Sequence, residues 1–421
     1  MADQTQPTKA EHLETLYQIT RTINSSLDLD VVLEEVIDRV IEVTHAERGF
    51  LLLRNDDGVM EFRVARGLNQ EDLKEPEFQV SQTILREVAT SQTPLLTSNA
   101  QYDERFRAGH SIVAMKLLSI LCVPIMVKDR LIGLVYVDNR LQSGVFNADD
   151  RDLLAAFASQ AGVAIENARL YRVAVEKGRM ERELQMAHDI QRGLLPDRIP
   201  HAPGYELAAD WRAAREVAGD FYDFIALEDG RLGVVIADVS DKGVPAALFM
   251  AVARSVIRSS ALLSATPDET LRHANDLMLR DAQSGMFVTA YYAILEPGGL
   301  VQCVNAGHNR PLLYHTATDT EEYLPRGGRA MGWFDDLPVK TEAVQMAPGD
   351  VLVLYTDGVT EAEDRLGACF GNARLAEAVR AAHGQTAAAV LNQINAMVDA
   401  FVGGAPPFDD HTLVVIRYVG G

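Results

Sequence analysis

The 421 residues carry 39 Lys and Arg against 60 Asp and Glu, a formal charge of −21, with 48% hydrophobic residues. That length asks for two or three domains with ample material for cores, and the acidity argues against nucleic acid as a partner, because phosphate backbones need a basic face. Cys122, Cys303 and Cys369 lie far apart with no CxxC pair, against a disulfide framework or zinc site and in keeping with a reducing cytoplasm. The apolar stretch 117–127 is too short to span a bilayer and the polar start has no apolar signal core. A cytoplasmic protein with no membrane partner is expected.

In chain order, Leu13, Leu16, Ile19 and Ile23 have helical spacing over 8–25. Ser26 or Asp28 is placed to cap a second helix whose Val32, Leu33, Val36, Ile37, Val40 and Ile41 form one apolar face. GFLLLRND (49–56) and VMEFRVARG (59–67) read as paired strands, and 117–140 as two strands around the turn KDR. FNADDRDLLAAFASQAGVAIENARLY (146–171) opens with an Asn cap and early acids, then runs on as a long helix. This order resembles a GAF domain over residues 12–170, above all in CVPIMVKDRLIGLVYVDN and FNADDRDLLAAFASQAGVAIENARL. The resemblance implies an antiparallel sheet with helices. The Asn-Lys…Phe…Asp-Glu signature of the cyclic-nucleotide-binding branch is missing, so the GAF ligand is unknown. Cys122, in an apolar strand, reads as core.

Leu170, Val173, Lys177, Met180, Leu184, Ala187, Gln191 and Leu194 then recur at spacings of three and four. This is a heptad seam with polar interruptions, weakened at Gly178 and ended by Pro196. It predicts a helical linker over 165–196 that pairs two chains in parallel as a coiled-coil homodimer; the competing reading is one amphipathic helix lying on a domain.

From 205 onward short apolar strands alternate with two helical blocks. Strands are expected at 205–213, 220–227, 231–238, 287–296, 300–307, 311–317, 350–357 and 411–419, with helices at 244–263, 267–282, 371–382 and 386–402. The class is α+β. Asp220, Asp238, Asp357, Asp409 and Asp410 each adjoin a strongly apolar strand. One such acid is usually a cap or a surface residue. Several on separate strands, if neighbouring strands gather them, repel unless cations neutralise them. Hard oxygen ligands suit magnesium or manganese, not zinc. The residues alone therefore suggest a hydrolase with an acidic, two-metal centre. A metal-dependent nuclease also fits two metals but not the acidic chain.

REVAGDFYD, ADVSDKGVPAALFMA, VNAGHNRPLLY, LYTDGVTEA and FDDHTLVVIR stand in the order and spacing of the SpoIIE-like (RsbU-like) branch of metal-dependent type 2C serine/threonine phosphatases. The resemblance covers about 200–421 and implies an αββα sandwich with two Mn²⁺ or Mg²⁺ ions at one end. It implies Asp238 as the bridging ligand, Asp357 and Asp409 on the first ion, and Asp220 with the Val239 carbonyl on the second. Asp410 is expected behind the ligands, with Gly243 freeing the turn after Asp238. His308, Asn309 and Lys242 are weaker candidates for the phosphate; for each, a turn or solvent role competes. Asp238, Asp357 and Asp409 are expected to be ionised at neutral pH. Ala218 and Asp241 depart from the family, which usually has Gly at both. The implied substrate is a phosphorylated STAS-type anti-sigma-factor antagonist, and the segment AHDIQRGLLP (187–196) is expected near the active site. A non-catalytic, phosphatase-like binding module is the alternative.

Overall fold

The computed structural model describes residues 28–420 except 56, 68–79, 101–102, 104–116, 229 and 282–284. The helix expected over 8–25 and Ser26 lie outside the described residues. The chain divides into two units, Met1–Arg179 and Met180–Gly421.

In the first unit, helix α1 (Leu29–Thr44) starts at Asp28, whose carboxylate accepts the Asp30 N–H at 3.0 Å, so Asp28 is the cap that is used. Strands β1 (Arg48–Arg54), β2 (Met60–Gly67), β3 (Leu95–Thr97), β4 (Ser119–Val127) and β5 (Arg130–Asn139) pair antiparallel in the order β2-β1-β5-β4-β3. Alternation along the pleat divides their side chains between two cores. Leu121, Val123, Ile125, Val135 and Val137 pack with α1 and with the start of α3 (Ala148–Leu194). Ile120, Cys122, Leu134 and Tyr136 pack with Ile84, Leu85 and Val88 of α2 (Gln82–Ser91). Cys122 is fully buried, and burial pushes its thiol far above the ordinary range, as a core residue requires. α3 opens on Asn147, whose side chain accepts the N–H groups of Asp149 and Asp150, while Asp150 accepts the N–H of Asn147. That reciprocal cap is what the Asn and early acids foretold.

The second unit holds two five-stranded antiparallel sheets. β6 (Tyr205–Arg212), β7 (Phe221–Ala226), β8 (Leu232–Val239), β9 (Val288–Leu295), β10 (Leu300–Ala306), β11 (Leu312–His315), β12 (Thr320–Tyr323), β13 (Glu342–Gln345), β14 (Val351–Tyr355) and β15 (His411–Tyr418) form the orders β13-β10-β9-β8-β7 and β12-β11-β14-β15-β6. Leu352, Leu354, Val414 and Ile416 face the first sheet, and helices α4 (Val244–Leu263) and α5 (Pro267–Asp281) add Met250, Ile257 and Leu271 to the same core. Val351, Val353, Leu413 and Val415 turn the other way, toward Leu375 and Ile394 of α7 (Gly371–Ala382) and α8 (Ala387–Val402). The result is helices, sheet, sheet, helices. α4 is long and apolar enough to cross a membrane by length and composition; here its Ala246, Met250, Ala253 and Ile257 are buried in the core. Two edge strands, β12 and β13, and a short helix α6 (Asp357–Thr360) were not expected from the sequence. Strands so short and exposed carry little apolar signal.

Candidate metal centre

The topology brings the acids to one end of the sandwich. Asp220 immediately precedes β7 and Asp238 is the penultimate residue of β8. These strands pair antiparallel with Phe221 opposite Ala237. In the other sheet Asp357 follows β14 and Asp410 precedes β15, strands that pair with Tyr355 opposite Leu413. Two threonines join the sheets: Thr356 Oγ1 donates to Asp220 Oδ2 at 2.6 Å and Thr412 Oγ1 donates to the same oxygen at 2.8 Å. Both threonines are fully buried and Asp220 is 2% exposed.

Asp410 supports the site from behind. Its Oδ1 accepts from Ala214 N and its Oδ2 from Gly219 N, each at 2.8 Å, so it fixes the loop that carries Asp220. Gly358 is obligatory beside it, because a Cβ there would lie 2.1 Å from the Asp410 carbonyl oxygen. Trp211 Nε1 holds the Asp220 carbonyl at 3.0 Å. Sequence reading did not single out Thr356, Thr412, Trp211 or Gly358. The threonines were discoverable as the polar residues flanking Asp357 and Asp410 at the ends of otherwise apolar strands.

The electrostatics follow from crowding. Burial and the charges of Asp238 and Asp410 raise Asp220 well above the carboxylate range. Burial, then Asp357 and Asp409, raise Asp238 to about 7, and burial with Asp409 and Glu361 raises Asp357 to about 6. Asp410 is also raised, mainly by burial. The expectation that Asp238 is ionised at neutral pH is therefore corrected for the protein without cations: burial and the charges of Asp357 and Asp409 keep it partly protonated. Among the described residues the ammonium in ion-pair contact with the cluster is Lys242, 2.8 Å from Asp409 Oδ2. No three of these side chains are gathered tightly enough to enclose an ion as they stand. Even so, a largely part-buried all-oxygen set on two opposed sheet ends, with one lysine as counter-charge, is the donor chemistry that suits Mg²⁺ or Mn²⁺. Asp220, Asp238, Asp357 and Asp409 are the side chains that would hold them.

The two departures from the family, Asp241 and Ala218, stand in different surroundings. Asp241 lies at φ 79°, the left-handed backbone that favours glycine, and so does Gly243 at 81°; the Asp241 carboxylate accepts its neighbour's N–H at 2.9 Å and the residue is exposed. Ala218 is fully buried. Val239 lies close to the Asp220 loop, for a Cβ on Gly219 would be 3.1 Å from the Val239 carbonyl oxygen. His308 is buried; its Nδ1 lies 2.9 Å from Thr289 Oγ1 and its N–H donates to Asn305 Oδ1. Burial lowers its pKa to about 4, so it is a neutral turn residue behind Asp238, which pairs with Thr289 in the sheet. The carbonyl of Asn309 accepts from Asn305, and the residue lines a separate cleft of about 260 Å³ with Arg310, Arg326 and Thr360.

The end of α3 belongs to this unit. Gln191, 4% exposed, donates to the Ala218 carbonyl at 2.8 Å and to that of Ala247 at 3.3 Å, and accepts the Ala218 N–H at 3.1 Å. His188 stacks on Trp211 with centroids 5.3 Å apart. So 187–196 does lie beside the Asp220 loop. Gln191 is withdrawn from the heptad seam because its amide satisfies buried backbone groups; Leu170, Val173 and Met180 remain more than half exposed.

Residues 228–419 match the family described as Stage II sporulation protein E (SpoIIE), and residues 28–165 match the GAF domain. Protein IcfG of Synechocystis sp. is 28% identical over 270 residues, 58% of this chain and 42% of IcfG. Phosphoserine phosphatase RsbU of Bacillus subtilis is 29% identical over 181 residues, 42% of this chain and 53% of RsbU. The chain thus spans about half the length of these curated relatives. Among solved structures, the SiaA-PP2C domain of Pseudomonas aeruginosa matches with a TM-score of 0.51 and 24% identity over 58% of this chain and 99% of that one, which speaks for the fold. The chain therefore holds a GAF domain followed by a domain of the SpoIIE family.

Proposed function

We propose that this protein is a cytoplasmic, Mn²⁺- or Mg²⁺-dependent serine/threonine phosphoprotein phosphatase under the control of its GAF domain. The observation that carries the reading is the convergence of Asp220, Asp238, Asp357 and Asp409 on one end of the sandwich, where burial and neighbouring acids raise Asp220 and Asp238 above the ordinary carboxylate range. Cations bound there would neutralise the acids and acidify a water for in-line attack on phosphorus. The chain's own part is positional. Thr356 and Thr412 fix Asp220, and Asp410 fixes the loop that carries it. Lys242, 42% exposed at the edge of the cluster, is the side chain placed to meet a substrate phosphate. In the overall step the water oxygen bonds to phosphorus, the phosphorus–oxygen bond to the seryl or threonyl oxygen breaks, and that oxygen takes a proton. Products are the free hydroxyl side chain and inorganic phosphate.

The relatives named as phosphoserine phosphatases support a phosphoprotein substrate, and a phosphorylated STAS-type anti-sigma-factor antagonist is the candidate. The exposed Leu170, Val173 and Met180 support a homodimer paired along the linker. Gln191 and His188 supply a physical route by which linker packing reaches the Asp220 loop. A non-catalytic binding module is the second reading, favoured by the ion pair between Lys242 and Asp409. Hydrolysis of p-nitrophenyl phosphate decides: the proposal expects activity with Mn²⁺, loss with EDTA, and loss in Asp238→Asn. A wild-type protein inert at all Mn²⁺ concentrations establishes the second reading.

A further inference from the structure

A cleft of about 410 Å³ opens directly beside the carboxylate cluster and shares Asp409 and Gly358 with its border. Its walls include Ala362, Val398, Val402, Ala405, Pro406 and Phe408. Phe408 is 57% exposed and sits under the Lys242 ammonium, 4.6 Å from ring centroid to Nζ. The rim is acidic. Glu363 and Asp399 line it, opposed by Arg212, which is already paired with Asp399 at 3.0 Å and Asp210 at 2.8 Å. The loop after Glu363 is tied to the far end by Arg365, which donates to the Gly403 carbonyl at 2.8 Å, and it presents Leu366 at 93% exposure.

Resting on the phosphatase reading, we propose that this cleft docks the residues flanking the phosphorylated side chain of the protein substrate, and that it selects an apolar residue accompanied by Lys or Arg. The argument is one of continuity and charge. A phosphate at the carboxylate cluster, met by Lys242, leaves the adjoining substrate backbone at Phe408, and the apolar surface on the other side of Phe408 is this cleft. An apolar floor rewards a buried aliphatic or aromatic side chain, while Glu363, beside an Asp399 already paired with Arg212, attracts a cation and repels an acid. Neither feature acts on the phosphate itself, so the cleft sets substrate choice apart from chemistry.

Two phosphoserine peptides differing only in their flanks test this, one with Leu and Arg and one with Ser and Asp. With Mn²⁺, wild type is expected to prefer the Leu/Arg peptide by about tenfold or more in kcat/KM, and Ala405→Trp, which fills the cleft, or Glu363→Lys, which inverts its rim, to bring that ratio near one. Thermal melts verify that both variants are folded, and the ratio is insensitive to their absolute activity. Fluorescence anisotropy of the labelled peptides in EDTA should show the same preference and the same loss. A wild type that treats the peptides alike, or variants that keep its preference, overturns the proposal. So does a change in sedimentation of Ala405→Trp with selectivity retained, which assigns the cleft to a second copy. If wild type hydrolyses no phosphoester, the phosphatase reading fails, and the anisotropy arm still decides the cleft.

Discussion

Buried carboxylates occur in both units, and they are treated in opposite ways. In the GAF unit Asp138 is fully buried and accepts from Arg48 Nε at 2.8 Å, with a second contact to Arg48 Nη2. In the SpoIIE-family unit Asp223, equally buried, is met by Arg254 at 3.0 Å and Arg258 at 2.8 Å. Three residues earlier in the same GDFYD stretch, Asp220 meets the hydroxyls of Thr356 and Thr412 and the charges of Asp238 and Asp410. A buried acid with its own arginine is closed chemistry. A buried acid surrounded by acids is incomplete until a cation arrives, and that difference separates structural aspartates from candidate ligands.

The sharpest way to break this comparison is to neutralise one acid of each kind. Asp238→Asn should reduce turnover of p-nitrophenyl phosphate by about a thousandfold while leaving the metal-free melting temperature unchanged or higher, because one repelling charge is gone. Asp138→Asn should do the reverse, with activity per folded molecule retained and stability lowered by about 3 kcal/mol as the buried Arg48 loses its carboxylate. Chemical denaturation alongside initial rates reads both; equal destabilisation by the two substitutions would erase the distinction.

Asp357→Asn sharpens it further. Stripped of metal it should melt at or above wild type, yet gain less from Mn²⁺, since stabilisation by a ligand scales with its preference for the native state. A cap at the start of α6 would instead show lower metal-free stability and an unaltered manganese response.

The pH dependence carries a sign. The folded-state pKa values of Asp238 and Asp357, about 7 and about 6, stand above the ordinary 3.8. The native state therefore binds more protons than the unfolded chain between those limits, and the contribution to stability is fully present below pH 4 and lost as pH rises through 6 and 7. Melting temperature in EDTA should fall across that window, and saturating Mn²⁺ should flatten the fall. Asp138, raised to about 6 by burial despite Arg48, adds a smaller fall that manganese leaves in place. A manganese-insensitive slope would assign the whole effect to pairs of that kind.

The smallest effect is expected at Gln191. Gln191→Leu strands the N–H and carbonyl of Ala218, at about 1–3 kcal/mol, and should raise the Mn²⁺ concentration for half-activity roughly tenfold with kcat at saturation little changed. An unchanged manganese requirement would make the contact merely structural.

Much of this was legible in the chain. The apolar face of α1, the Asn cap of α3 and the strands of the second unit other than β12 and β13 follow from local periodicity and capping, which act over a few residues and leave their mark in order. The aspartates were visible as acids placed against apolar strands, a placement that costs energy unless used. The linker was legible as a helix but not in its facing: Gln191 fits a heptad by spacing, and only packing shows that its amide closes the Ala218 backbone groups. Thr356 and Thr412 lie 56 positions apart and 136 and 192 positions from Asp220. Their convergence comes from pairing β14 with β15 and from stacking that sheet on the one that holds β7. Sequence by itself determined which residues prefer to be buried or charged and where elements begin. Tertiary structure alone decided which charges would share one low-dielectric end of the sandwich, because Coulomb energy and desolvation depend on distance in space, to which position along the chain is nearly blind.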